Sequence, residues 1–141
     1  MLDITRQTAN FVAGLKLSDL SNRCREAARI GIIDCVGVMI AGAAEQPVRI
    51  VSAMVPASTQ NDGAPEMPSG RNLAASDAAL VNGVAAHVLD YDDVALAGHP
   101  SAVLVPATLA EGWSLDSSGA VQRAVLARDP VCGRYSRCLA H

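Results

Sequence analysis

The chain has 141 residues, a formal net charge of −3 and a hydrophobic content of 50%, with aromatic residues at only 3%. That length suffices for one domain with a core, and the acidic balance gives no electrostatic case for nucleic acid or an anionic membrane surface as a partner. So few aromatics leave Ala, Val, Leu and Ile to fill the interior, which suits an all-α fold of close-packed helices better than a β-sandwich.

Residues 3 to 14 read as a first helix, with Ile4, Phe11 and Val12 in its apolar set, Asp3 or Thr5 as its cap and Gly14 at its end. Ser18 is expected to cap a second helix over about 19 to 43. Its first half is charged on one face (Arg23, Arg25, Glu26, Arg29). Its second half is apolar nearly all round (Ile30, Ile32, Ile33, Val36, Val38, Met39, Ile40), the pattern of a central helix. Asp34 within it then calls for a structural partner. Gly42 and Pro47 bracket the next connection, and residues 48 to 55 read as a short helix. From Pro56 to Ala74 the chain is rich in Pro, Gly, Ser and Asn and reads as a long surface loop, with an extended piece near Glu66 to Ser69. Ser76 or Asp77 is expected to cap a buried helix over about 76 to 91. The helix after it begins near Val103 or is kinked at Pro106, and Gly112 ends it.

The longest apolar stretch, Gly31 to Ala44, is interrupted by Asp34 and too short to span a bilayer. The start, M-L-D-I-T-R-Q, lacks the basic-then-apolar pattern of a signal peptide. Cys24, Cys35, Cys132 and Cys138 form no CxxC pair, so zinc is not expected, and Cys35 on an apolar helix reads as a small hydrophobe. The expectation is a reduced, cytoplasmic setting.

The chemistry is concentrated between Asn82 and Leu109, which holds His87, Asp90, Asp92, Asp93 and His99. If the helix runs to residue 91, His87 and Asp90 share a face, with Asp93 one further step along it. His87, in an apolar run, reads as a satisfied core histidine. Asp92 and Asp93 read as solvated or capping groups. Gly98 and Pro100 break the chain around His99 and place it at a loop or helix start. An imidazole and a carboxylate beside such a turn make a general acid/base pair, His99 with Asp90. His87, Asp90, Asp93 and His99 also have the ligand types for a divalent metal, but no recognised spacing, so neither metal nor cofactor is expected. The same stretch contains no Arg or Lys, the groups that clamp a polycarboxylate.

The run A-A-H-V-L-D-Y-D-D, then G-H-P-S and P-A, resembles the signature of the MmgE/PrpD family. So do R-E-A-A-R-I-G-I-I-D-C-V-G-V-M-I-A-G and S-D-A-A-L-V-N-G-V-A-A-H upstream. The resemblance covers about residues 3 to 119. It implies the N-terminal part of that family's helical domain, and a lyase of the 2-methylcitrate dehydratase or cis-aconitate decarboxylase kind acting on a small di- or tricarboxylate. By the resemblance, His99 matches the histidine of H-P-S and would move a proton. Asp90 matches the first carboxylate of the D-Y-D-D pattern and would orient that imidazole or bind substrate. Asp93 and Ser101 follow as substrate-binding candidates. Val94 stands where the decarboxylase has Thr, and the Asp90 to His99 spacing is one residue shorter; both argue against that exact activity.

After Gly119 the pattern stops. Residues 120 to 141 hold four arginines against one acid and look like a frameshifted or early-terminated tail, although Ala120 to Arg128 also fits an amphipathic helix. The family's further Lys and second active-site His lie beyond this chain. The expectation is therefore a fragment that is inactive alone and forms a homo-oligomer. The competing reading, from another class, is a non-catalytic helical self-association module.

Overall fold

The computed structural model describes residues 3–59, 63–67, 69–95 and 98–115. Within them lie five helices: α1 (Ile4–Gly14), α2 (Asn22–Gly42), α3 (Gln46–Met54), α4 (Ala75–His87) and α5 (Pro100–Ser114). Two short strands, β1 (Ala64–Pro65) and β2 (Asn72–Leu73), form an antiparallel hairpin between α3 and α4. The basic tail and its boundary at 119 lie outside the described residues.

Helix α4 is the hub. It packs on α5, α2, α3 and both strands, while α2 also reaches α5. Its buried residues Ala78, Val81, Asn82, Ala85 and Ala86 follow the three-four spacing of one helical face. The facing stripe of α2 is Ala28, Cys35, Met39 and Gly42, with Ile32 and Val36 partly buried beside it. From α5 come Ala102, Val105, Pro106 and Ala110. Small side chains let the helices approach closely, since ridges of Ala and Gly leave shallow grooves. At Gly42 the approach is tightest: a methyl there would run into the Ala85 carbonyl oxygen and the Val88 side chain.

Several boundaries move from the sequence reading. A 3-10 turn, Leu17–Asp19, precedes α2, and the cap is Ser21, whose hydroxyl accepts from the Cys24 N–H at 3.2 Å, rather than Ser18. The Ser18 hydroxyl instead donates to Asp19 Oδ1 at 3.3 Å within that turn. Helix α2 is not surrounded. Ile30, Ile33 and Ile40 are more than half exposed, and Asp34 is exposed too, so it needs no buried partner. Helix α1 buries nothing, although Asp3 caps it as expected. Helix α4 starts after Ala74 with no side-chain cap, so neither Ser76 nor Asp77 is its cap, and it ends at His87 rather than 91. Helix α5 starts at Pro100, which needs no N–H partner in the first turn, and continues through Pro106 and Gly112 to Ser114. Pro106 cannot donate to the Ala102 carbonyl, and the Thr108 hydroxyl back-bonds to the Leu104 carbonyl nearby.

The segment from 56 to 74 is more than a surface loop. Ala64 and Leu73 are fully buried. The extended pieces flank Glu66–Ser69 instead of containing it, because Glu66 N–H donates to the Arg71 carbonyl and Gly70, at φ +73°, completes the reversal. Asn82 of α4 holds the hairpin: its Oδ1 accepts from Met67 N–H at 2.8 Å and its Nδ2 donates to the Pro65 carbonyl at 3.0 Å. Arg71 ties it to α3, donating to the Ser52 carbonyl at 2.7 Å and the Val55 carbonyl at 3.3 Å, carbonyls the helix end leaves unpaired. Among the described residues no single helix is long and apolar enough to cross a membrane.

Candidate functional site

The chain turns sharply after α4. Asp90 N–H donates to the His87 carbonyl at 2.9 Å, and Asp90 takes a left-handed φ of +50°. Asp is among the few non-glycine residues that adopt this conformation readily. The turn ends the helix, so His87, Asp90 and Asp93 do not share a helical face. Instead the irregular segment from residue 91 returns past the C-terminal end of α4, where Asp92 meets His87. Ala95 and Gly98 then exchange backbone hydrogen bonds of 2.8 and 3.0 Å, which closes a small loop and delivers His99 to the start of α5.

Three residues meet in this corner. The Asp92 carboxylate is buried, with its side chain 1% exposed. Its Oδ1 lies 3.2 Å from His87 Nδ1, and its Oδ2 lies 3.2 Å from His99 Nδ1. The two imidazoles stack at a tilt, with centroids 4.3 Å apart and planes at 56°. Asp90 stands outside them, 83% exposed, with Oδ1 4.0 Å from His99 Nε2. That is beyond hydrogen-bond reach but within ion-pair distance. His99 borders an open cleft of about 280 Å³, lined also by Ala95, Gly98, Pro100, Val103 and Leu104.

The sequence-derived candidates fall as follows. His99 and Asp90 do come together, through His99 Nε2. Asp93 accepts a 3.0 Å hydrogen bond from the Ser101 N–H and so caps α5 from the preceding loop, a role the sequence allowed for it. Ser101 is itself buried, and its carbonyl accepts from the Cys35 thiol at 3.4 Å. Neither Asp93 nor Ser101 lines the cleft. His87 is exposed rather than a core histidine, because α4 stops at it and leaves it at the rim. Asp92 is buried rather than solvated, and it is the residue that sequence reasoning missed. The signal was a carboxylate five residues after a histidine at a helix end. Only the turn at Asp90 decides which of the adjacent Asp92 and Asp93 faces inward.

His87, Asp90, Asp92 and His99 each place one donor atom within 4.8 Å of the others. By ligand type the set suits a divalent cation, with Asp92 where the sequence suggested Asp93. The Asp92 oxygens are, however, directed at the ring nitrogens of both histidines. Among the described residues no Lys or Arg lines the cleft.

The family model for the MmgE/PrpD N-terminal domain matches residues 6–128, past the boundary read at residue 119. Cis-aconitate decarboxylase from Homo sapiens is 31% identical over 121 residues, covering 82% of this chain and 24% of that protein. The chain thus spans about a quarter of the curated relative it matches. No solved structure matches the chain.

Proposed function

The chain belongs to the MmgE/PrpD family, and from that premise we propose that it supplies the acid/base half of a lyase site acting on a small di- or tricarboxylate. Elimination from such a substrate needs a base for the proton beside a carboxylate and an acid for the departing hydroxyl. In this reading His99 moves the proton through Nε2, and Asp90, exposed and 4.0 Å from that nitrogen, meets a substrate hydroxyl. The observation that carries it is His99 bordering the cleft with Asp90 Oδ1 4.0 Å from its Nε2. Asp93 and Ser101, proposed as substrate-binding, contribute through the start of α5 that positions His99. The reaction favoured is 2-methylcitrate dehydratase-like, with Val94 exposed where a hydrogen-bonding side chain would serve a decarboxylase. A cytoplasmic location belongs to the same reading, supported by Cys24 being a free thiol.

Among the described residues the cleft offers no Lys or Arg to a polycarboxylate, and preorganised charge is often the largest catalytic contribution. The 141-residue chain by itself is therefore expected to turn over none of 2-methylcitrate, citrate or cis-aconitate. Turnover by the purified chain, abolished by His99→Ala, would show that the charge requirement was misjudged. In a family-length protein carrying this segment, His99→Asn should cut turnover by roughly two to four orders of magnitude, with Asp90→Asn costing less. If His87→Asn abolished turnover and His99→Asn did not, the proton-transfer role would belong to His87.

A second reading, a self-association module without catalysis, draws on the exposed Ile30, Ile33 and Ile40 of α2. Sedimentation of the chain addresses it directly, as argued below.

A further inference from the structure

We propose that Asp92, not Asp90, is the positioning residue of this site, and that it holds His87 and His99 together in the tautomer with Nδ1 protonated and Nε2 free to accept a proton. A neutral imidazole has one donor and one acceptor nitrogen, and its hydrogen-bond partner chooses which. An ionised carboxylate only accepts. Asp92 Oδ1 lies 3.2 Å from His87 Nδ1, and Oδ2 lies 3.3 Å from the same nitrogen and 3.2 Å from His99 Nδ1. His87 Nδ1 is then the N–H donor, and an N–H at His99 Nδ1 is the assignment that Asp92 Oδ2 can satisfy. Asp90 cannot do this: it is exposed, 4.0 Å away, and on the opposite ring nitrogen.

Burial adds weight at His99. Its Nδ1 is shielded from solvent, and its approach to Asp92 is too bent to count as a full hydrogen bond. Leaving a buried donor unpaired is costly, so a small tilt of the ring toward Asp92 Oδ2 is favoured over any rotation away from it. His87 closes the other side, 4.3 Å from His99 between ring centroids, and limits that rotation. The consequence concerns the cleft: the atom of His99 left as acceptor is Nε2, the one that faces Asp90. The catalytic meaning of this rests on the proposed role of His99, but the tautomer itself does not.

The test is the nitrogen spectrum of the full 141-residue chain, labelled with ¹⁵N-histidine, at mildly alkaline pH where an ordinary imidazole is neutral. His99 and His87 should each show a protonated-type Nδ1 and an unprotonated-type Nε2. The free side chain favours the opposite arrangement, so the result is not a default. Asn at position 92 offers one acceptor oxygen and one donor group, so in Asp92→Asn at least one ring should switch to the Nε2-protonated form. A wild-type spectrum with His99 protonated on Nε2, or averaged between forms, would overturn the proposal. So would a folded Asp92→Asn chain with both rings unchanged. Should Asp92→Asn lose its helical circular dichroism, His87→Asn decides: His99 should keep its protonated Nδ1 without the neighbouring ring. A fixed tautomer combined with unimpaired turnover in His99→Asn would remove the acid/base reading and leave this inference standing.

Discussion

Glu66 sits almost buried in the hairpin turn, where Arg71 Nε reaches its Oε2 at 2.9 Å and the Ser69 hydroxyl donates to the same oxygen at 3.0 Å. Burial alone pushes its carboxyl up. Hydrogen bonds from Ser52, Arg71 and Ser69, with the charge of Arg71, outweigh that and hold it below the ordinary carboxylate value. A carboxyl whose pKa is depressed on folding contributes stability above its unfolded pKa and loses it as pH falls through the folded one. The melting temperature should therefore drop on acidification below the ordinary glutamate range, and that acid-side slope should be shallower in Glu66→Gln. An identical slope in both would mean that Glu66 is not linked to folding. Removing the cation is harsher, because a nearly buried carboxylate then loses its partner and the Ser52 and Val55 carbonyls lose their donor. Arg71→Ala is expected to cost on the order of 3 kcal/mol in denaturant unfolding.

Among the elements, α4 depends on a close crossing with α2. Gly42 is buried against the Ala85 carbonyl, and a methyl has no room there without moving backbone. In an exposed helix Gly→Ala would stabilise by roughly 0.5–1 kcal/mol. At this position the sign should reverse, with overpacking costing about 1–3 kcal/mol, read as a lower denaturation midpoint. Gly37, in the same helix, has open space around its Cα and serves as the control: Gly37→Ala should be neutral or stabilising. If both substitutions stabilised alike, the α2–α4 crossing would be looser than described. The same crossing matters for the site, since α2 and α5 meet through the Cys35 thiol and the Ser101 carbonyl, two residues from His99.

The whole molecule presents apolar surface that its described helices do not cover. Ile30, Ile33 and Ile40 recur along one side of α2, each between 52% and 57% exposed. Exposed apolar surface gathered on one helix side is an association liability, unlike single scattered residues. The chain is expected to sediment as more than a monomer, and a paired Ile33→Glu, Ile40→Glu substitution should shift it toward the monomer while leaving helical content unchanged. A monomeric wild-type chain with one sharp cooperative melt would contradict this.

What the residues determined alone was the helical class and the neighbourhood of the chemistry. Near-continuous apolar runs are local, and they marked α2 and α4 within a few residues; the Gly98–His99–Pro100 break was legible because Gly and Pro act on their own backbone. The D-Y-D-D and H-P-S runs likewise pointed to the family before any fold was in view. Tertiary structure decided the rest. The hairpin needs Arg71, Ser52 and Asn82, which are distant in sequence, so its segment read as loop. The end of α4 at His87 depends on the left-handed turn at Asp90, and that turn alone exchanges a supposed core histidine for a rim one and a supposed surface Asp92 for a buried one. Which of two adjacent carboxylates faces two imidazoles is a question of one backbone rotation, and no periodicity in the sequence records it.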